Sequence, residues 1–478
     1  MNAQPHFRFA ASLALLVLAG CAIGPNYHRP TVDAPAFKET GNWKPAAPGE
    51  QLPRGKWWEA YGDPVLNVLE DRVEVSSNAL QIAEAQYRQA QAAATIAGAA
   101  LFPAITADGS ADRARSPARG STPGSIGNTF GAELAASWEF DLWGRVRRSA
   151  QAGRAAAEAS TADLESARLS VHAVLAQTYF SLRVADTGQR LYERIIADYQ
   201  RSLKMTQNRY AQGVDARADV VAAEAQLKTA QAQAIDLTLQ RAQLEHAIAV
   251  LLGQPPATFA LVPADLTIAP PVPPVLLPSQ QLERRPDIAG AERRLAAASA
   301  QIGVAEGGYF PVISLSGAAG YQGQSYNHLF TVPNEIWSAG AGAVLPLFEA
   351  GKVRAQVRQA REFYDESLAS YRQTVLSAFQ EVEDNLAAAT ILAQEAVMQA
   401  EAVTAARQSA TITLNQYQAG TVSFLNVVTA QAAQLDAERT AVQLLGRRLN
   451  ASVTLLKAAG GDWRTTGGPQ GSSPTATP

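Results

Sequence analysis

The two halves of this chain repeat each other, and that limits the fold more than any other feature. Phe102-Pro103 returns as Phe310-Pro311, and Gly144-Arg145-Val146-Arg147 returns as Gly351-Lys352-Val353-Arg354. Asn208-Arg209-Tyr210-Ala211-Gln212-Gly213 returns as Asn415-Gln416-Tyr417-Gln418-Ala419-Gly420. Around these anchors Glu84 matches Glu292, Ile105 matches Ile313, Gly109 matches Gly317, and Val220-Val221 matches Val427-Val428. The period is 207 or 208 residues, whereas solenoid units run about 20–50. This is a duplicated half-molecule, so one structural account has to serve both halves.

Proline positions divide each half. None occurs from Gly124 to Gln254 or from Leu347 to Gly468, and both stretches are rich in Ala, Gln, Glu, Leu and Arg. These are strong helix formers. Nothing stops a helix between Arg147 and Gln212, a run of roughly 65 residues or about 100 Å, too long for a compact domain. Leu164, Val171, Leu175, Tyr179 and Leu182 form a narrow apolar seam at spacings of 3, 4 and 7, as in coiled coils. Each helical stretch is broken once, at Gly213 and Gly420, where a left-handed glycine ends a helix. Asp215 and Ser423 follow as expected N-caps of the next helix. Each stretch is therefore a helical hairpin with Tyr210 or Tyr417 at its tip.

A period of two precedes each hairpin. Phe130, Ala132, Leu134, Ala136, Trp138, Phe140 and Leu142 alternate with Thr129, Gly131, Glu133, Ala135, Ser137, Glu139 and Asp141. In the second half Trp337, Ala339, Ala341, Ala343, Leu345 and Leu347 alternate with small residues. Upstream partners run from Ile105 to Arg113 and from Ile313 to Gln322. Each half contributes one β-hairpin, about 104–142 and 312–348, greasy on one face and polar on the other. Strands of about ten residues with that pattern match a transmembrane β-barrel, with Trp138, Trp143, Tyr321 and Trp337 as candidates for the aromatic girdle.

Four strands cannot close a barrel, and open edges are not tolerated in lipid. Two chains would give eight strands and an interior filled by side chains; three would give twelve and a lumen. The polar face favours the homotrimer, whose helices would gather into a tube. The fold class expected is thus an α+β membrane protein, a homotrimeric 12-stranded β-barrel continuous with a long α-helical barrel.

The remaining segments complete the plan. Arg8 followed by an apolar run to Leu18 reads as a signal peptide over residues 1–20. Leu18-Ala19-Gly20-Cys21 matches a bacterial lipobox, and Cys21 is the only cysteine; acylation of Cys21 is the expected modification. Residues 21–64 form an N-terminal extension and 65–253 the first repeat. A linker over 254–286 with nine prolines is expected to run as an extended strap around the outside of the helices, with a disordered linker as the alternative. Residues 287–463 form the second repeat, and 464–478 a tail expected to be disordered. A net charge of −3 argues against a nucleic-acid binder. The five histidines show no metal-ligand spacing; His172 and His246 sit in helix patterns and read as solvated or seam residues. No catalytic constellation is visible and no cofactor is implied.

The residues now on the page carry a resemblance. The chain resembles the outer-membrane efflux proteins of the TolC-like family, in particular the lipoprotein branch serving resistance-nodulation-division pumps. The carrying residues are Gly24-Pro25-Asn26-Tyr27-His28-Arg29-Pro30, Trp57-Trp58, Asp63-Pro64, Arg284-Arg285-Pro286-Asp287-Ile288, Ala291-Glu292, Phe310-Pro311 and the two Tyr-x-x-Gly tips. The resemblance implies a homotrimer working with a periplasmic adaptor (membrane fusion) protein and an inner-membrane pump. It implies a passive duct for small toxic compounds or ions; the outer channel of a type I protein-secretion system is the alternative. It also implies a periplasmic gate at Tyr210, Gly213, Asp219, Tyr417, Gly420, Val422 and Asn426. Val422 and Asn426 stand where some relatives carry charged residues, so closure is expected to rest on apolar packing and neutral hydrogen bonds rather than ion pairs.

Overall fold

The structure is a computed structural model that describes residues 22–30, 55–115, 117, 124–271 and 285–460. The signal peptide, Cys21 and the tail after Trp463 lie outside the described residues. A 3-10 turn at Trp57–Tyr61 leads into α1 (Pro64–Ser76) and α2 (Asn78–Ala99). The strands β1 (Ala104–Arg115) and β2 (Ile126–Glu139) follow, then α3 (Arg145–Ala211) and α4 (Arg217–Leu251). The second repeat has α5 (Pro286–Glu306), β3 (Val312–Gly323), β4 (Glu335–Val344), α6 (Lys352–Gln418) and α7 (Phe424–Ala458). The duplication is literal: α3 and α6 each have 67 residues, and α4 and α7 each have 35.

The chain divides into two compact units, each drawing on both repeats. One contains residues 1–32, 85–163 and 288–374, and with them the sheet. The four strands lie in the order β1-β2-β3-β4, all antiparallel. The central β2–β3 ladder joins one repeat to the other. In register, Leu134 faces Ala107 on one side and Ala319 on the other, and Trp138 faces Leu315. Side chains alternate along a strand, so Ile105, Leu134, Leu315 and Trp337 share one face, while Asp108, Glu133 and Ser316 share the other. The apolar face is uncovered: Leu134 is 60% and Trp337 77% exposed. Among the described residues β1 and β4 each have a single partner strand, which leaves both sheet edges open.

The strands stop sooner than the alternation predicts. Phe140 still bonds Ile313 through its backbone, but Asp141 turns away. Its carboxylate accepts from the amides of Val146 and Arg147 at 3.1 and 2.8 Å, capping α3. The alternation through Leu142 thus continues past the ladder because a capping residue and its neighbours keep the pattern by chance. Likewise β4 ends at Val344, before Pro346, which lacks the N–H a ladder needs.

The other unit contains residues 33–84, 164–287 and 375–478. Pro64 opens α1 at a position needing no amide donor, and Asp63 accepts from the amides of Val65 and Leu66. The core gathers Trp57, Trp58 and Tyr61 with Leu66, Leu69 and Val73 of α1 and Leu175, Tyr179, Phe180 and Leu182 of α3. Ile248 of α4 and Leu449, Val453 and Leu456 of α7 complete it. Leu175, Tyr179 and Leu182 are the seam residues seen in the sequence.

Part of the proline-rich segment is described, and residues 259–268 lie extended against α3 and α4. Arg183 donates to the carbonyl of Val262 at 2.8 Å and Arg241 to that of Leu261 at 2.5 Å. In return, the amides of Leu261, Ala264 and Leu266 reach Glu245, Asp186 and Thr187. A segment with no secondary structure has its polar backbone satisfied by helix side chains. Residues 272–284 lie outside the described residues. No described helix is long and apolar enough to cross a membrane.

Candidate functional site at the helical hairpin turns

The two helix–helix turns have the same backbone. Gly213 and Gly420 both have φ of 79°, a conformation that a β-carbon disfavours. Gly213 N bonds Tyr210 O and Val214 N bonds Arg209 O; Gly420 N bonds Tyr417 O and Thr421 N bonds Gln416 O. The repeat is therefore exact in the main chain and broken in the side chains. Tyr210 is 45% exposed, whereas Tyr417 is buried.

Tyr417 is the centre of a cluster that ties one turn to the other. Its ring packs on Phe424, with centroids 5.4 Å apart, and Ala223 and Val427 close around it. Val422 packs against the same group, half-buried. The hydroxyl donates to Asp215 Oδ2, with Thr206 Oγ1 3.4 Å away. Asp215 also takes Arg209 Nε at 3.1 Å on both oxygens, and the Arg209 guanidinium lies 4.7 Å over the Tyr417 ring. Burial pushes the Tyr417 hydroxyl above its ordinary pKa, and the bond to Asp215 adds to it. Tyr417 thus remains a neutral donor. The turn of the first repeat is fastened to that of the second by one phenol, one carboxylate and one guanidinium.

This arrangement corrects the reading of Asp215 as an N-cap. Ala216 takes the N-cap position of α4, and Asp219 Oδ2 accepts from its amide at 3.3 Å. Asp215 is freed for Arg209 and Tyr417 because Asp219 does the capping. Ser423 does hold the N-cap position of α7, but its hydroxyl donates to Asn426 Oδ1 at 3.2 Å instead of accepting from a backbone amide. Asn426 is exposed. Tyr210 is left exposed, and the ion pair Arg209–Asp215 departs from the expectation that the turns are held by apolar packing and neutral hydrogen bonds alone, because the charge comes from residues outside the positions Val422 and Asn426 on which that expectation rested. Its signal was present: an Arg and an Asp six residues apart, straddling a left-handed glycine.

The aromatic residues of the sheet divide in two. Tyr321 and Trp337 lie on strands, with Tyr321 packed edge-on against Phe330 at 5.5 Å. Trp138 lies one residue from the end of β2 and donates to the carbonyl of Leu101 at 3.2 Å. Trp143 lies beyond β2, donates to the carbonyl of Pro311 at 2.9 Å and packs on Phe310.

A second buried polar cluster was not anticipated. His172 is buried, with Nδ1 2.6 Å from Glu70 and Nε2 3.0 Å from Glu74, and its ring stacks on Trp58 at 4.4 Å. No group of three or more His, Cys, Asp or Glu suited to a metal ion occurs among the described residues. Neither cluster pairs a nucleophile with a base, so the geometry offers fastening rather than catalysis.

Known proteins agree with this architecture. The profile of the outer membrane efflux protein family matches residues 69–254 and 277–461. The chain is 32% identical over 420 residues to the pyoverdine export outer membrane protein OpmQ of Pseudomonas aeruginosa, spanning 86% of this chain and 88% of that one. It is 30% identical over 472 residues to the solvent efflux pump outer membrane protein SrpC of Pseudomonas putida, spanning 96% and 98%. Among solved structures, the outer-membrane channel OprN matches with a TM-score of 0.86 at 31% identity, over 93% of this chain and 100% of that chain. The open state of the MtrE outer membrane channel of Neisseria gonorrhoeae matches with a TM-score of 0.80 at 27% identity, over 92% and 98%. A duplicated chain with four strands and long paired helices that matches these proteins is an outer-membrane efflux channel, and it belongs to the outer membrane efflux protein family.

Proposed function

We propose that the chain works as a homotrimer whose twelve strands close a barrel in the outer membrane, while its helical hairpins form a periplasmic duct closed at the turns until an adaptor docks. The observation that carries this reading is the sheet: four strands, one apolar face uncovered and both edges open. Such a sheet is stable in lipid only when copies close it, and eight strands would leave no lumen. The relatives named for solvent efflux and pyoverdine export favour small molecules over secreted polypeptides as cargo. An adaptor protein and an inner-membrane pump of the resistance-nodulation-division type are the partners this role requires. Acylated Cys21 anchors the mature N-terminus.

In this reading the Tyr417–Asp215–Arg209 cluster holds the two turns of each chain together in the closed state. Tyr417→Ala removes the ring and both hydroxyl contacts, and a truncated buried aromatic costs about 3–5 kcal/mol. Single-channel recording in planar bilayers tests the role. Tyr417→Ala is expected to raise conductance and open probability while the trimer still assembles. Conductance equal to wild type would make Tyr417 a turn residue with no part in closure.

A further inference from the structure

Three arginines meet at the start of β3 in a groove that the efflux role does not use. The groove has a volume of about 700 Å³ and is lined by Ile23, Glu306, Tyr309 and Phe310, and by Arg354, Val357, Arg358, Arg361 and Glu362. Arg361 is engaged, donating to Glu306 at 2.8 Å. Arg354 and Arg358 stand four residues apart on α6 and so point the same way. Among the described residues neither meets a carboxylate. The groove therefore presents two guanidinium groups with no carboxylate partner among the described residues beside Ile23, Tyr309, Phe310 and Val357; of its two carboxylates, Glu306 is held by Arg361, and Glu362 leaves the lining with a net positive charge.

Its surroundings set the level at which it lies. Phe310-Pro311 leads directly into β3 at Val312. Trp143 donates to the carbonyl of Pro311 and packs on Phe310 with centroids 5.0 Å apart. Ile23 N bonds the carbonyl of Trp143 at 3.0 Å, two residues after Cys21. Tyr309 is 52% exposed. Aromatic rings gathered at one end of membrane strands mark the headgroup level of a bilayer. Arginine presents a planar fork that matches phosphate oxygens, and basic pockets beside membrane segments hold lipid headgroups.

We propose that this groove binds the phosphate of a phospholipid headgroup in the periplasmic leaflet of the outer membrane, with Arg354 and Arg358 as its cationic ligands and Tyr309, Phe310 and Val357 against the glycerol and upper chains. The proposal rests on the outer-membrane placement of the sheet. It is separable from the efflux role, because neither arginine touches the hairpin turns.

Native mass spectrometry of the delipidated full-length protein in detergent tests it, with short-chain phosphatidylglycerol, the matching diacylglycerol and inorganic phosphate as probes. The expected result is one phosphatidylglycerol retained per chain, with diacylglycerol and inorganic phosphate each held at least tenfold more weakly. Arg354→Gln/Arg358→Gln is expected to lower retention by about tenfold or more, the factor that hydrogen bonds to a charged group carry. Equal retention by wild type and double variant overturns the proposal, and so does inorganic phosphate binding as tightly as the lipid, which would make this a free-anion site. A double variant that dissociates with lipid retention per chain unchanged assigns the arginines to a contact between chains, and also overturns it. Should the glutamine variant fail to fold, Arg354→Lys/Arg358→Lys keeps the charge and removes the fork; undiminished lipid retention there counts against the proposal. Membrane fractionation of the wild type separates the two readings: absence from the outer membrane sinks the channel reading itself, whereas correct fractionation with no bound lipid sinks only the groove.

Discussion

Raising the pH above about 7 should weaken the protein through His172. Its two ring nitrogens face two carboxylates, Glu70 at 2.6 Å and Glu74 at 3.0 Å. A neutral imidazole donates only one hydrogen bond, so both contacts hold when the cluster carries an additional proton. Burial raises the Glu70 carboxyl to about 7, with its bond to His172 acting the other way. Burial also works against charge on His172, but the bonds to Glu70 and Glu74 outweigh it and raise its pKa above the ordinary 6.5. The neighbouring charges are accounted for: Asp71 pairs with Lys56, and Arg168 pairs with Glu74 and Glu165. Both shifts are upward, so the folded state holds protons that the unfolded state releases. The associated stability is complete below the unfolded pKa values and is lost as pH rises through the folded ones. A rise from 4.5 to about 7 at Glu70 corresponds to on the order of 3 kcal/mol at 1.36 per unit. At pH 6, one unit below the folded value, about 1.4 kcal/mol of this is still present, and denaturant unfolding in detergent at pH 6 and pH 8.5 measures its loss, with Glu70→Gln/His172→Gln as the reference that cannot titrate. Wild type should lose stability across this interval and the double variant should lose much less. The same pH dependence in both would refute the assignment.

Four further outcomes are expected. Leu134→Arg places a charge mid-strand on the uncovered apolar face; at a cost of about 2–4 kcal/mol near the bilayer midplane, the yield of assembled trimer on semi-native gels should fall. A lysine at Trp138, one residue from the end of β2, should be milder in the same assay. Gly446→Val sets a β-carbon 2.7 Å from Val184 Cγ2, so thermal unfolding should show a loss of about 1–3 kcal/mol from overpacking. Cys21→Ser with a conventional signal peptide should still fractionate with the outer membrane, because a closed barrel holds the chain without acyl groups; wild-type protein whose Cys21 is unmodified by mass spectrometry would remove the lipid anchor altogether.

The sequence shows this fold where local pattern and tertiary role coincide. Alternation located β2 and β4, since one face meets lipid and the other the lumen, and the left-handed glycines located both hairpin turns. Pairing between β2 and β3 was not legible, because strands from separate repeats are joined by register alone. Asp215 was misread for a related reason. Its local preference is to cap, but its partner Tyr417 lies 202 residues away, and Asp219 is free to cap instead. His172 was read as solvated or seam; its partners Glu70 and Glu74 lie 102 and 98 residues off. Charges buried by distant partners leave no trace in a helical period. The shared Tyr-x-x-Gly motif of the two turns also hid the difference between exposed Tyr210 and buried Tyr417, which only packing decides.

The most direct test of the efflux role is substrate accumulation in living cells. In the native host, a fluorescent compound expelled by the inner-membrane pump is followed in strains lacking this chain, lacking the pump, or lacking both. If this chain is the outer duct of that machine, each single deletion should raise accumulation to the same level and the double deletion should raise it no further. Unchanged accumulation without this chain, or a double deletion that adds the two effects, would contradict it.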